Sequence, residues 1–420
     1  MMKPHGSWIS GISLLATSVV LALAALATPS TQAQTYTKTI LHDFTGGNDG
    51  SNPFTRVIVD KAGNLYGVTG AGGLFNNGTI FKVDSSGSET VLYTFTEPVY
   101  GTDPVGRLTM DAAGNLYGNT QQGGTYGYGT VFELDTSGTY TVLHHFIGGP
   151  EGEYPQGGLL LVGAGFFVGS TSEGGETNCN NTNQGCGIVF RLAPNSDGGW
   201  TFTVLHVFAG PPDGAYPVGE LTRDSHGNFY GATQQGGDTK CFNHVYGCGT
   251  VFKVHDREET VLYRFTGKAD GLYPSSGLLM DSAGNLYGTT YDGGTGCIRN
   301  HGCGTVYKLD ESGHESVLYT FKGGADGRFP DERLVTDPAG NLYGTTSEGG
   351  ERPYSGTVYK VDTTGTETVL YNFLGGADGR FPYGLAIDAA GNLYGVTEEG
   401  GLNDCERRSS CGTVFKLTPQ

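Results

Sequence analysis

Hydrophobic and polar residues alternate along this chain in short runs, and the runs return in the same order from one end to the other. One copy, read from Gly277, contains four of them: GLLMD, NLYGTT, GTVYKLD and ESVLYTF, divided by turn residues and one glycine-rich loop. In the third run Thr305, Tyr307 and Leu309 alternate with Val306 and Lys308, which is the two-residue period of a β-strand. No run reaches the length of an amphipathic helix. The glycine after Asn-Leu-Tyr or its equivalent falls at Gly67, Gly118, Gly169, Gly231, Gly288, Gly344 and Gly395, so there are seven copies, 51 to 62 residues apart. Four strands per copy and seven copies predict an all-β fold, a seven-bladed β-propeller of four-stranded antiparallel blades. A solenoid of the same units is the alternative. The chain begins its pattern with a lone fourth strand, KTILHDF from Lys38 to Phe44, and finishes on a third strand, GTVFKLTPQ. Those two halves make one blade if the ring closes, so the last blade is expected to be completed by the N-terminal strand. A solenoid gains nothing from that split and needs polar caps.

The turn between the first two runs has its own chemistry. In DSAGNLYG the Asp281 carboxylate can accept from amides of its own turn and Gly284 can take positive φ, which makes a hairpin. Asp60, Asp111, Asp224, Asp337 and Asp388 occupy the same place, and a structural role outweighs a catalytic one at all six. Tight turns join strands one to two and three to four, on one face of the disc. The opposite face carries the second-to-third loops and the crossings between blades, and variation in length is concentrated there, where binding usually resides.

Composition and charge narrow the class. Residues 1–33 read as a secretory signal, with Lys3, an apolar stretch from Ile9 to Ala27 and Thr31-Gln32-Ala33 before the expected cut; an uncleaved anchor is the alternative. Residues 34–420 are expected to form one domain, secreted to the periplasm or beyond, with no membrane span of its own. The formal charge is −18, or −19 once Lys3 leaves, which disfavours nucleic acid and anionic membrane surfaces as partners. The 73 glycines accompany 24 tyrosines and 21 phenylalanines, so glycine marks turns rather than disorder.

Three sets of residues on the loop face carry candidate chemistry. All eight cysteines lie in second-to-third loops as local pairs, Cys179 with Cys186, Cys241 with Cys248, Cys297 with Cys303 and Cys405 with Cys411, and are read as disulfides. Zinc, with His244 and His301 nearby, is the alternative. The residues before the glycine pairs include Glu173, Asp292, Glu348 and Glu399, which a propeller would bring towards its channel mouth, where they could hold calcium or share a proton; a solvated polar rim is the plainer reading. The crossings repeat an acid, a glycine, an aromatic and a proline. Asp270 with Tyr273, Asp326 with Phe329 and Asp378 with Phe381 could each form a sugar pocket, against the alternative of an Asp-Gly corner whose aromatic wedges between sheets. Blade three, with VGAGFFVGSTSEGG and the insertion TNCNNTNQGC, departs most from the pattern. His42, His144 and His206 replace a strand tyrosine and are read as packing residues.

The pattern in AGNLYGTTYDGG, GTVYKLD and SVLYTFKGGADG resembles the tandem repeat of the Gloeobacter/Verrucomicrobia type, over about residues 36–418. That resemblance implies an exported bacterial protein, often surface-anchored, with no established catalytic residues. The DSAGNLYG turn is also similar to blades of NHL and gluconolactonase-type propellers, whose metal ligands match no residue here one by one. The expectation is a monomeric secreted module that binds extracellular polysaccharide or another envelope component. The alternative is a metal-assisted lyase or lactonase working at the channel mouth.

Overall fold

A computed structural model describes residues 35–163, 165–175, 179, 184–241, 246–297, 301–402 and 411–420. The expected signal segment lies outside them. The strands form seven sheets, each an antiparallel blade, and the last takes its outer strand, Tyr36–Asp43, from the chain start and pairs it with Thr413–Pro419. The only helical elements among the described residues are short 3-10 turns.

The repeated words of the sequence are the fasteners of this ring. Each Asn-Leu-Tyr-Gly glycine stands across from the aromatic of the third strand, as Gly67 does from Phe81 and Gly288 from Tyr307. A Cβ at any of the seven would lie 2.4–2.7 Å from that ring, so glycine is required by the aromatic rather than by backbone conformation. In six blades a buried threonine pair bridges the same two strands, Oγ1 to Oγ1 at 2.8–3.0 Å. The turn aspartates act as expected. Asp281 accepts from Ala283 N and Asn285 N at 2.9 Å, Asn285 Nδ2 at 2.7 Å and the Tyr287 hydroxyl at 2.9 Å. Burial pushes its pKa up, and these bonds outweigh that and leave it below the usual value.

The first strand begins earlier than the hydrophobic pattern suggests. In blade five it includes Leu272–Pro274 ahead of Leu279–Met280, and in blade seven it runs unbroken over Arg380–Ile387. The residue before each lead-in proline (Asn52, Asp103, Tyr154, Tyr216, Tyr273, Phe329 and Phe381) has φ between 54° and 60°. That is costly for a non-glycine residue. It is held by neighbours: Tyr273 N donates to Cys248 O of the preceding blade at 3.1 Å, and Phe329 N to Cys303 O at 3.0 Å. The proline then packs on the Gly-Thr glycine of that preceding blade, where an added Cβ would lie 2.4–2.9 Å from the proline Cδ. Each of the seven lead-in prolines and the glycine it meets, at 78, 129, 187, 249, 304, 356 and 412, is therefore one half of an inter-blade joint.

Candidate functional site

Where the first strands of the seven blades converge, a cavity of about 340 Å³ is lined from every blade, by residues running from Phe54–Arg56 in blade one to Tyr383 in blade seven. Apart from Gln121, its lining residues follow their lead-in prolines by no more than three residues, which puts it towards the loop face of the channel. Register shifts in the first strands of blades two, four and seven fall at this level, where Gly106, Gly219 and Gly384 take φ of 72°, 67° and 45°. Such bulges re-aim the following side chain, here Arg107 and Glu220.

In the channel three guanidiniums converge on one carboxylate, Glu220, with Asp331 and Glu332 beside them. Glu220, 9% exposed, accepts from Arg333 Nη1 at 2.8 Å and from Arg107 Nη1 at 3.3 Å to each oxygen, with Arg56 Nη2 at 3.5 Å. Burial raises the Glu220 pKa, and the arginines more than reverse this, leaving it below the usual value. Arg56 is pushed down to about 9 by burial, then by Arg107 and Arg333, and so stays charged at neutral pH. Glu332 is pushed up to about 7 by desolvation despite Arg56. Asp331 is raised well above the ordinary carboxylate range by desolvation, then by Glu332 and Glu398. At neutral pH the site therefore holds three cations against an ionised Glu220 and a part-ionised Glu332. Arg107 Nε, Arg333 Nε, Thr55 Oγ1 and Asp331 Oδ1 are enclosed without a hydrogen-bond partner.

The residues singled out from the sequence are distributed differently. Asp270 accepts from Thr266 N at 2.7 Å, Thr266 Oγ1 at 2.6 Å and the Tyr263 hydroxyl at 3.0 Å; Asp326 from Lys322 N at 2.8 Å and the Tyr319 hydroxyl at 2.9 Å; Asp378 from Leu374 N and the Tyr371 hydroxyl, both at 2.7 Å. These are corners, each tied to an aromatic hydroxyl. Phe329 is buried, while Tyr273 and Phe381 remain partly accessible.

The mouth carboxylates are not drawn into one cluster. Glu348 accepts from Arg328 Nε at 2.8 Å and Glu399 from Arg380 Nε at 2.7 Å, while Glu173 pairs with Glu153 through the backbone. Asp292 faces Arg328's counterpart position in its own blade, opposite Leu272. Among the described residues, the one group of three His, Cys, Asp or Glu side chains with ligand atoms within 4.8 Å is His206, Asp213 and Glu259. Glu173, Asp292, Glu348 and Glu399 are not part of that group. Three cysteine pairs are bonded, Cys179–Cys186, Cys241–Cys248 and Cys297–Cys303; Cys405 of the fourth pair and His244 lie outside the described residues. His144 stacks on Phe202 at 4.2 Å, and His42 and His206 meet Phe44 and Phe208 edge-on, as packing residues do.

Sequence reasoning passed over the arginine cluster. Its signal was available: aligned on the lead-in prolines, the third residue after each reads Arg56, Arg107, Gly158, Glu220, Gly277 and Arg333, and blade seven is one residue short before its leucine, Leu385. One column of a regular repeat thus holds unlike charges. A second feature is visible only in three dimensions. The large hydrophobic side chains exposed among the described residues (Leu74, Phe75, Val99, Tyr100, Tyr126, Ile147, Tyr246, Tyr291, Tyr354, Leu374 and Leu402) all lie in second-to-third loops, at their edges or in crossings, on the loop face.

Fold and site define a seven-bladed propeller with a regular body, an apolar-studded loop face and one irregular charged set in its channel. The chain belongs to the Gloeobacter/Verrucomicrobia repeat family, whose model matches residues 28–183, 177–298 and 297–420. No protein of curated function matches it significantly. Among solved structures it is similar to the extracellular domain of BT4673, a two-component system protein of B. thetaiotaomicron, at 10% identity and TM-score 0.53, over 91% of this chain and 39% of that one. A gluconolactonase from Xanthomonas campestris aligns at 11% identity and TM-score 0.41, covering 92% and 90%. A PQQ-bound aldose sugar dehydrogenase from Streptomyces coelicolor aligns at 14% and 0.44, covering 92% and 99%. At these identities the likeness concerns the fold.

Proposed function

We propose that this protein is an exported binding module that engages extracellular polysaccharide through its loop face. The observation that carries the reading is the confinement of exposed apolar side chains to that face, since contiguous or clustered apolar exposure marks interaction surfaces. Six of those side chains are Tyr or Phe, and flat amphipathic rings suit the apolar faces of pyranoses while the tyrosine hydroxyls reach sugar hydroxyls. Tyr273 and Phe381, set by the Asp270 and Asp378 corners, extend the same surface. The three disulfides stiffen it and suit an oxidising compartment. No helix among the described residues is long and apolar enough to cross a membrane.

The test is retention of the disulfide-intact protein on a panel of soluble and insoluble polysaccharides, compared with Tyr126→Ser and Tyr354→Ser. Retention on a defined polymer, weakened in both variants, is the expected result. Wild-type protein that passes through every polymer unretarded would remove the reading.

A further inference from the structure

We propose that the central channel is a specific site for a hexuronate, a sugar ring bearing one carboxylate, held by Arg56, Arg107 and Arg333. The inference rests on the carbohydrate reading above and assigns it a second, more selective pocket.

Charge supplies the first argument. Three guanidiniums converge on Glu220, and with Glu332 only part-ionised at neutral pH and Asp331 held protonated by burial they keep excess positive charge in a protein whose overall charge is −18. Guanidiniums recognise carboxylates by paired N–H donors, and these arginines have donors left over. Arg107 Nε and Arg333 Nε are enclosed and unpartnered, as is Thr55 Oγ1, and Thr55 is itself only 6% exposed. Enclosed polar groups of this kind are satisfied in folded proteins, by protein, water or ligand. Arg107, whose side chain is 33% exposed, is the one an incoming carboxylate reaches first.

The rest of the lining argues for a sugar rather than a bare inorganic anion. The volume of about 340 Å³ sits at the lower end of ligand pockets, roughly 300–1,000 Å³. Glycines at 106, 157, 158, 219 and 277 let the backbones of adjacent first strands close into a wall, since a Cβ at any of them would lie 2.0–3.0 Å from backbone of the neighbouring blade. Gln121, Gln156, Ser275 and Asp331 present amide, hydroxyl and carboxyl groups to ring hydroxyls, while Tyr383 and Phe54 supply apolar surface. Net negative charge over the whole protein disfavours a polyanion lying along the surface and leaves a singly charged unit, either free or at a chain end, as the fitting ligand.

The experiment is titration calorimetry of the purified, disulfide-intact protein with glucuronate, galacturonate, the corresponding neutral hexoses, sulfate, and an oligosaccharide ending in a hexuronate. Wild type is expected to bind at least one uronate and neither neutral hexose, and Arg107→Gln to lose about tenfold or more, the value of a charge-assisted hydrogen bond. Gln156→Leu, at an exposed lining position, keeps the fold intact and is expected to weaken the uronate while leaving sulfate unaffected. Binding of the free sugar and of the oligosaccharide with equal affinity identifies the monosaccharide as the ligand; tighter binding of the oligosaccharide identifies a chain end, and both support the site. Sulfate binding without uronate binding, or uronate binding unchanged in Arg107→Gln and Gln156→Leu, overturns it. If uronates fail while polysaccharide retention persists, this inference falls and the loop-face reading stands; if both fail, both fall.

Discussion

Removing the charge of Glu220 isolates the element on which the channel depends. In Glu220→Gln three guanidiniums, 11%, 33% and 19% exposed, lose the carboxylate that lies within 2.8–3.5 Å of all of them. Breaking one side of a buried ion pair costs about 3–5 kcal/mol, and the lower end applies because Arg107 is partly hydrated and Glu332 can ionise in response. The assay is urea unfolding at low ionic strength, with Glu258→Gln, an exposed glutamate, as the control expected to stay within about 0.5 kcal/mol of wild type. Because the folded Glu220 pKa lies below its unfolded value of about 4.3, the stabilisation is present above about pH 4.3 and is lost as pH falls through the folded value. The difference between wild type and Glu220→Gln should therefore close in acid. Added sulfate should restore part of the loss by taking the vacated place among the arginines. A variant as stable as wild type at pH 7 and indifferent to sulfate would refute the view that Glu220 balances these cations.

Other consequences test the ring itself. Lys38, whose Nζ meets Asp378 Oδ1 at 2.9 Å and lies 4.6 Å from the Phe373 ring centre, locks the N-terminal strand; Lys38→Met should cost about 1–3 kcal/mol and raise hydrogen exchange in Tyr36–Asp43 before other strands. Tyr307 is 1% exposed with its hydroxyl unpartnered, where blades one to four and seven carry phenylalanine, so Tyr307→Phe should raise the melting temperature, by relief of about 1 kcal/mol. Gly288→Ala, whose Cβ would stand 2.5 Å from that hydroxyl, should destabilise by about 1–3 kcal/mol, and should do so less when combined with Tyr307→Phe. Glu259, Glu315 and Glu367 are each pushed up to about 7, by desolvation first and then by Asp213, Asp270 and Asp326. The folded protein keeps protons that the unfolded chain releases near pH 4.3, so stability should fall between about pH 4.3 and 7, and the melting temperature at pH 5.5 should exceed that at pH 8.

Features set within one blade were open to reading from the chain alone. The alternation of Thr305 to Leu309, the Asp281 turn and the orphan strand at Lys38 each depend on neighbours a few residues away or on a count of copies. The joints between blades were only half visible. Asp-Gly-aromatic-Pro could be seen to turn a corner, but that the proline seats on the preceding blade's Gly-Thr glycine depends on two copies standing side by side. The mouth carboxylates show the same limit in reverse. They form one column of the repeat, yet Arg328 and Arg380, each opposite its glutamate across a strand pair, take up Glu348 and Glu399.

Local alternation, turn chemistry and a sevenfold count thus determined the propeller, because each is written within a single copy and repeated. The channel site was decided by closure of the ring. Arg107 and Arg333 each stand 113 residues from Glu220, and nothing in the local sequence of any of them specifies a partner. They meet because the first strands of all blades line the channel and bulges at Gly106 and Gly219 re-aim Arg107 and Glu220. Convergence of that kind is a property of the assembled ring and is absent from every blade taken singly.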